Sequence, residues 1–244
     1  MRTTLTAATA GPLLVPAFAA APAHADDATA SDVWTGSGEL GLAIAKGNTD
    51  SQTLVGKLGI AKETARWKHS AGAAFLYGKS DDEENARRYE VFANSGYRLG
   101  EHSYVVGSLR NERDHFAPNE YQWTASAGYG IEAIKNETTH LTFEAGPGYR
   151  WAKLQDVRVH NNEAVLRGFM DFGHRLTETT ELFNTLLIEA GADNTFARND
   201  FGVKVKMTDA LALKAGFEVR HNTDVPVDTK RTDTLTTVNV VYGF

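Results

Sequence analysis

The sequence predicts an all-β fold: a transmembrane antiparallel up-and-down β-barrel of about twelve strands. Three observations carry this. Apolar and polar residues alternate with period two over most of the chain, the alternating runs are longer than ordinary globular strands, and the last run ends on Phe244 at the chain terminus.

The N-terminal segment stands apart from the alternation. Arg2 supplies a positive charge, a small apolar run follows from Leu13 to Ala20, and Ala23-His24-Ala25 forms an A-x-A cleavage pattern. Residues 1–25 are therefore expected to be a cleaved signal peptide, 26–33 a short periplasmic segment, and 34–244 the barrel. The chain contains no cysteine, so an exported protein of this sequence has neither a disulfide framework nor a Cys-based zinc site. No run of about 18 consecutive apolar residues is present, which excludes a membrane-spanning helix. The formal net charge of −6 argues against a nucleic-acid partner.

The strands follow in order, near 34–46, 51–62, 66–79, 87–98, 102–114, 120–134, 138–154, 162–176, 180–191, 195–207, 210–222 and 231–244. In the first, Trp34, Leu40, Leu42 and Ile44 share one parity, opposed by Ser37 and Glu39. In the sixth, Tyr121, Trp123, Ala125, Ala127, Tyr129 and Ile131 oppose Gln122, Thr124, Ser126, Gly128 and Glu132. The eleventh sets Leu211, Leu213, Ala215, Phe217 and Val219 against Lys214, Gly216, Glu218 and Arg220. Two strands break the pattern. Leu186 and Ile188 alternate poorly with Leu187 and Glu189 in the ninth, so a bulge or parity switch is expected near Asn184. Pro147 in the seventh removes a ladder donor, so a bulge or kink is expected there.

The connections predict an orientation. Lys62–Ala65, Leu99–Glu101, Lys135–Thr138, Thr177–Thr179 and Thr208–Asp209 are brief. Lys79–Ala86, Asp114–Asn119, Gln155–Asn161 and Asn222–Lys230 are longer and more charged, while Gly47–Asp50 is a short Gly-Asn turn. Short turns on the periplasmic side then place both termini in the periplasm. Asp81-Asp82-Glu83-Glu84 reads as a solvated acidic loop, or less economically as a site for divalent cations among lipopolysaccharides. Trp34, Trp67, Tyr97, Tyr104, Tyr121, Trp123, Tyr149, Trp151 and Tyr242 fall near strand ends, where aromatic girdles are expected. Val240, Tyr242 and Phe244 share one face of the final strand. A terminal aromatic on that face resembles the membrane-insertion signal that bacterial barrel-assembly machinery reads.

The opening Trp34–Gly41, followed by Lys46-Gly47-Asn48-Thr49-Asp50-Ser51, resembles the start of the YdiY-like family of salt-induced outer-membrane proteins, a domain-of-unknown-function family. Gly146–Arg150 and the ending Asp233–Phe244 are similar too. The resemblance implies a cell-outer-membrane barrel linked to salt or envelope stress. It brings no catalytic residues and no cofactor.

Barrel enzymes offer a test. His69-Ser70 and His102-Ser103 are adjacent, so each pair faces opposite ways and does not form a shared lipase site. Asp114, His115, Asp156, His160, His221 and Asp224 fall at outer strand ends, where a protease would place its residues and where solubility alone also places them. No metal-ligand spacing links the eight histidines. The chain is therefore expected not to be an enzyme.

The polar face carries more. Glu39, Arg88, Glu90, Arg98, Glu132, Glu144, Arg150, Arg167, Asp171, Arg175, Lys204, Lys206, Glu218 and Arg220 share the inward parity. A charge facing lipid at the bilayer midplane costs about 2–4 kcal/mol, so these side chains are expected to line the lumen. They either line a narrow porin-like aqueous path or pair across the lumen and plug it. In the second case the loops would meet a partner or lipopolysaccharide.

Overall fold

The computed structural model describes residues 33–45, 51–117, 119–154, 160–225 and 230–244. Twelve antiparallel strands close into one barrel, each paired with its sequence neighbours and β1 with β12. They are β1 (Trp34–Ala45), β2 (Ser51–Glu63), β3 (Trp67–Ser80), β4 (Glu83–Arg98), β5 (Ser103–Asp114) and β6 (Asn119–Lys135). The second half is β7 (Thr139–Leu154), β8 (His160–Arg175), β9 (Thr180–Gly191), β10 (Thr195–Lys206), β11 (Leu211–Asn222) and β12 (Thr232–Gly243). The expected leader, the Gly47–Asp50 turn and Asp156 lie outside the described residues.

Alternation sorts the two faces. Leu40, Leu42, Leu166 and Val238 are each 60% exposed or more, the reverse of a soluble core. Their sequence neighbours Glu39, Arg167 and Asn239 are buried. A protein that puts leucine outside and glutamate inside is solvated by hydrocarbon, not water. Aromatic pairs mark both ends of the outer surface. Trp67 packs edge-on against Tyr97 at a centroid distance of 5.0 Å, and Tyr149 against Trp151 at 4.9 Å. Tyr104 is a correction to the expected girdle: it is buried, and its hydroxyl donates to Glu144 Oε1 at 2.7 Å.

Several local expectations also change. The Lys79–Ala86 loop is a tight hairpin, because β4 begins at Glu83 instead of 87. Asp81 and Asp82 take φ of 49° and 65°, the doubly left-handed turn that matches strand twist. Lys79 Nζ donates to Asp82 Oδ1 at 3.0 Å, and Asn85 is the extra residue where pairing slips from Gly78↔Ala86 to Lys79↔Glu84. With that loop gone, and with the β9–β10 turn short as well, the expected alternation of short and long connections does not hold. Asn222–Thr232 is the long connection at the end away from the termini.

β9 has no parity switch. Glu181, Phe183, Thr185, Leu187 and Glu189 are all buried, and its pairing to β10 runs unbroken from Thr195↔Ala190 to Val205↔Thr180. At Pro147 there is neither bulge nor misregister. The β6–β7 ladder holds one register from Ser126↔Gly148 to Tyr129↔Ala145, and its shifts fall instead beside Tyr121 and Ile134. The strands press together at that point. A Cβ on Gly146 would lie 2.1 Å from the Ala127 carbonyl oxygen, so glycine is required there.

Candidate functional site: the charged lumen

The inward face of each strand delivers charged side chains to the barrel axis, where they pair across non-adjacent strands. One cavity, the far vestibule, lies at the end away from the termini. It measures about 270 Å³ and is lined by Arg87, Arg88, Asp114, Glu218, Lys230 and Asp233 among others. At its floor Arg88 Nε donates to Asp114 Oδ2 at 2.7 Å and Nη1 to Glu218 Oε1 at 3.4 Å. Arg220 Nη2 donates to both oxygens of Glu112, at 2.7 and 2.6 Å.

A closed band follows. Arg110 on β5 meets Glu189 on β9 and also donates to Glu112 Oε2 at 2.9 Å. Arg150, 1% exposed, donates to Glu163 Oε1 at 2.9 Å and to the carbonyls of Asn194 and Glu189 at 3.0 and 2.9 Å. Arg198 grips both oxygens of Glu90 at 2.9 and 2.7 Å. Phe169, Leu187 and Phe196 form an apolar cluster in the same band, and the guanidinium carbons of Arg110 and Arg220 lie 5.0 and 4.9 Å from the Phe196 ring centroid. Around Arg110, Thr124 and Glu189 the free volume falls to about 10 Å³, room for roughly one water.

Toward the termini the lumen opens again to about 80 Å³. Lys68 Nζ donates to Glu132 Oε1 at 2.6 Å, Arg98 bridges Glu132 and Glu63, and Arg167 donates to Glu144 Oε2 at 2.7 Å. His140 Nε2 stands 3.5 Å from Asp171 Oδ2. Along one wall Lys204 pairs with Glu181 at 3.2 Å, Lys214 with Asp200 at 3.2 Å and with Glu39 at 3.7 Å, and Asn239 donates to Glu39.

Of the lumen residues singled out in the sequence, twelve enter this interior arrangement, and two sit at its edge. Lys206 turns to Asp209 across the β10–β11 turn at 3.0 Å, and Arg175 lies half-buried opposite Glu181. Val240, Tyr242 and Phe244 lie on the outer face, 49%, 52% and 67% exposed. Sequence reading missed Arg110, Glu112, Glu163, Glu189, Arg198 and Asp200. The parity of Tyr104-Val106-Ser108 extended along β5 would have found Arg110 and Glu112.

Two of the enzyme-like residues are held apart. Asp114 turns inward to Arg88, whereas His221, on the opposite parity of β11, bonds Thr232 Oγ1 at 2.9 Å. His69 does meet a serine, Ser95 Oγ, at 3.1 Å from its Nδ1, but across strands and on the outer face. Among the described residues no group of three or more His, Cys, Asp or Glu is placed to hold a metal ion.

A family model described as "Protein of unknown function, DUF481" matches residues 38–244. The chain is 25% identical over 226 residues to the uncharacterized protein YdiY of Escherichia coli (strain K12), covering 89% of this chain and 86% of that one. Among solved structures, the COG4313 outer membrane channel from Pseudomonas putida F1 superposes with a TM-score of 0.52 at 10% identity, over 86% of this chain and 95% of that one. The translocator domain of the autotransporter NalP from Neisseria meningitidis gives 0.50 at 15% identity, over 86% and 87%. The NanC porin gives 0.50 at 11% identity, over 86% and 98%. These likenesses establish an outer-membrane type of barrel and stop at the fold.

Proposed function

The chain belongs to the DUF481 family, whose function is unknown, and on that footing we propose that it is an outer-membrane barrel closed at rest by an ion-paired partition. The observation that carries this reading is the band in which Arg110, Glu189, Arg150 and Glu163 bond one another across the lumen over the Phe169–Leu187–Phe196 cluster. Mixed charges that hydrogen-bond one another hold one another in place and exclude solute, where an open pore would leave them solvated. In this reading the lumen charges serve closure. The outer face meets membrane lipid and lipopolysaccharide, and the Val240–Tyr242–Phe244 face of β12 is what the assembly machinery reads.

A second reading, a narrow ion path, has one observation in its favour. The cavity of about 40 Å³ below the far vestibule shares Arg88, Glu218 and Arg220 with it, so side-chain rearrangement alone would lengthen the aqueous path.

The two separate in proteoliposomes. A closed barrel gives no swelling in small sugars and no potassium flux above empty vesicles. Flux without swelling favours the narrow path, and swelling in sugars overturns both.

A further inference from the structure

We propose that the half of the β1–β12 seam nearer the far vestibule is a lateral opening through which the acyl chain of a membrane phospholipid reaches the barrel interior. β1 and β12 pair only from Ser37↔Gly243 to Gly41↔Asn239, with Gly36 and Phe244 exchanging hydrogen bonds of 2.7 and 2.9 Å at the chain end. Beyond that point, among the described residues, Leu42–Ala45 pair with β2 and Thr232–Val238 with β11, and neither pairs with the other. The flanking seams continue, β1–β2 to Ala45↔Ser51 and β11–β12 to His221↔Thr232. An unpaired strand edge facing hydrocarbon is costly, so a gap of this kind either zips shut or is occupied.

Burial along β12 follows the same division. Asn239 and Val241 are 1% and 4% exposed on the inward face, whereas Leu235 and Thr237 are half-buried and Asp233 is exposed. Across the barrel at the same end, Glu112 and Asp114 stay buried.

The lumen behind the gap carries aliphatic side chains interleaved with charged ones, Lys57, Glu90, Arg198, Asp200 and Glu218 among them. Val55, Leu76 and Leu235 line one cavity together with Arg88 and Arg220, and Leu76 and Leu235 continue into the far vestibule. Three aliphatic side chains beside guanidiniums suit a molecule with a hydrocarbon tail and a polar head. Arg87 and Lys230 interleaved with Asp114 and Asp233 suit a head carrying both signs of charge. The opening has a fixed lower limit. Asn239, donating to Glu39 and to Thr237 Oγ1 at 3.2 Å, occupies the space where a Cβ on Gly41 would stand, 1.8 Å from its Oδ1.

The absence of cysteine allows a single nitroxide label at Leu235→Cys, measured in phosphatidylcholine vesicles by collision with oxygen, which partitions into the bilayer, and with a water-soluble nickel chelate. Labels at Val238→Cys on the outer face and Ser108→Cys on the closed wall set the two limits. The proposal expects oxygen collision at Leu235→Cys within about twofold of the Val238→Cys value and several-fold above Ser108→Cys. Oxygen collision no higher than at Ser108→Cys overturns it, as does access by the nickel chelate alone, which would mean a water path. Dipolar broadening between labels on two molecules overturns it in favour of a second copy seated in the seam. If Leu235→Cys does not fold, Thr237→Cys carries the same comparison.

Discussion

Arg110 on β5 and Glu189 on β9 form a two-point contact across the lumen, Nε to Oε1 at 3.2 Å and Nη2 to Oε2 at 2.6 Å. The two strands are not neighbours in the sheet, so this pair spans the barrel instead of decorating one wall. Both side chains are nearly inaccessible, at 4% and 1%. A bidentate pair of this kind fixes geometry as well as charge, and removing one partner leaves the other buried and uncompensated.

Glu189→Gln should therefore destabilise the barrel by about 3–5 kcal/mol in urea unfolding from lipid vesicles. Replacing both members, Arg110→Met with Glu189→Leu, should recover most of that loss, because no buried charge is then orphaned at this contact. A double variant as unstable as the single one would show that the remaining partners, Glu112 and Arg150, depend on the pair.

The β3–β4 turn gives a second test, independent of the lumen. Asp82 holds φ of 65°, a conformation glycine adopts freely and a β-branched residue strongly resists. Asp82→Gly should raise stability by about 0.5–1 kcal/mol, and Asp82→Val should lower it by about 1–2 kcal/mol, in the same unfolding assay. Both substitutions also remove the exposed Lys79–Asp82 ion pair, which adds little to stability.

Glycine contacts separate close packing from open wall. Gly146→Ala drives a methyl group into the Ala127 carbonyl and the Gly128 Cα, at 2.1 and 2.4 Å, and should cost about 1–3 kcal/mol. Gly168→Ala meets nothing within 4 Å and should be neutral within about 0.5 kcal/mol. Equal effects would mean that the β6–β7 contact relaxes freely around Pro147.

The terminal aromatic makes a prediction about assembly. The Phe244 ring occupies the space above Gly36, where a Cβ would lie 2.3 Å from it, and stacks on Tyr242 at 6.1 Å. Phe244→Ala should lower the yield of heat-modifiable, assembled barrel in cells several-fold, while refolding of the purified chain into detergent is affected less. Equal losses in both would assign the residue to stability of the seam and not to recognition.

The strand count and most strand limits were legible because the outer face is predominantly apolar: Leu40, Leu42, Leu213 and Phe217 each flag their parity without help from a partner. The interior was harder to read, and for a physical reason. Phe169, Phe183, Leu187 and Phe196 face inward among charges, so on β9 the polarity of Leu186 and Leu187 no longer tells one face from the other. Tyr104 failed in the same way, an aromatic near a strand start that serves Glu144 instead of the bilayer. Charge partners were out of reach altogether. Alternation says that Arg150 and Glu189 point inward, but only the barrel's closure brings β7 and β9 side chains within 3.5 Å of each other. Turn lengths misled because β4 extends to Glu83 through positive φ at two aspartates, a conformation that sequence usually assigns to glycine or asparagine.

The closed partition is tested most directly by planar-bilayer recording of the refolded protein beside its Arg110→Ala/Glu189→Ala variant, which removes the spanning pair. The closed-barrel account predicts a silent baseline for the parent chain and discrete conductance steps for the variant, once the central free volume of about 10 Å³ is enlarged by two truncated side chains. Steady, unitary conductance from the unaltered protein would contradict it.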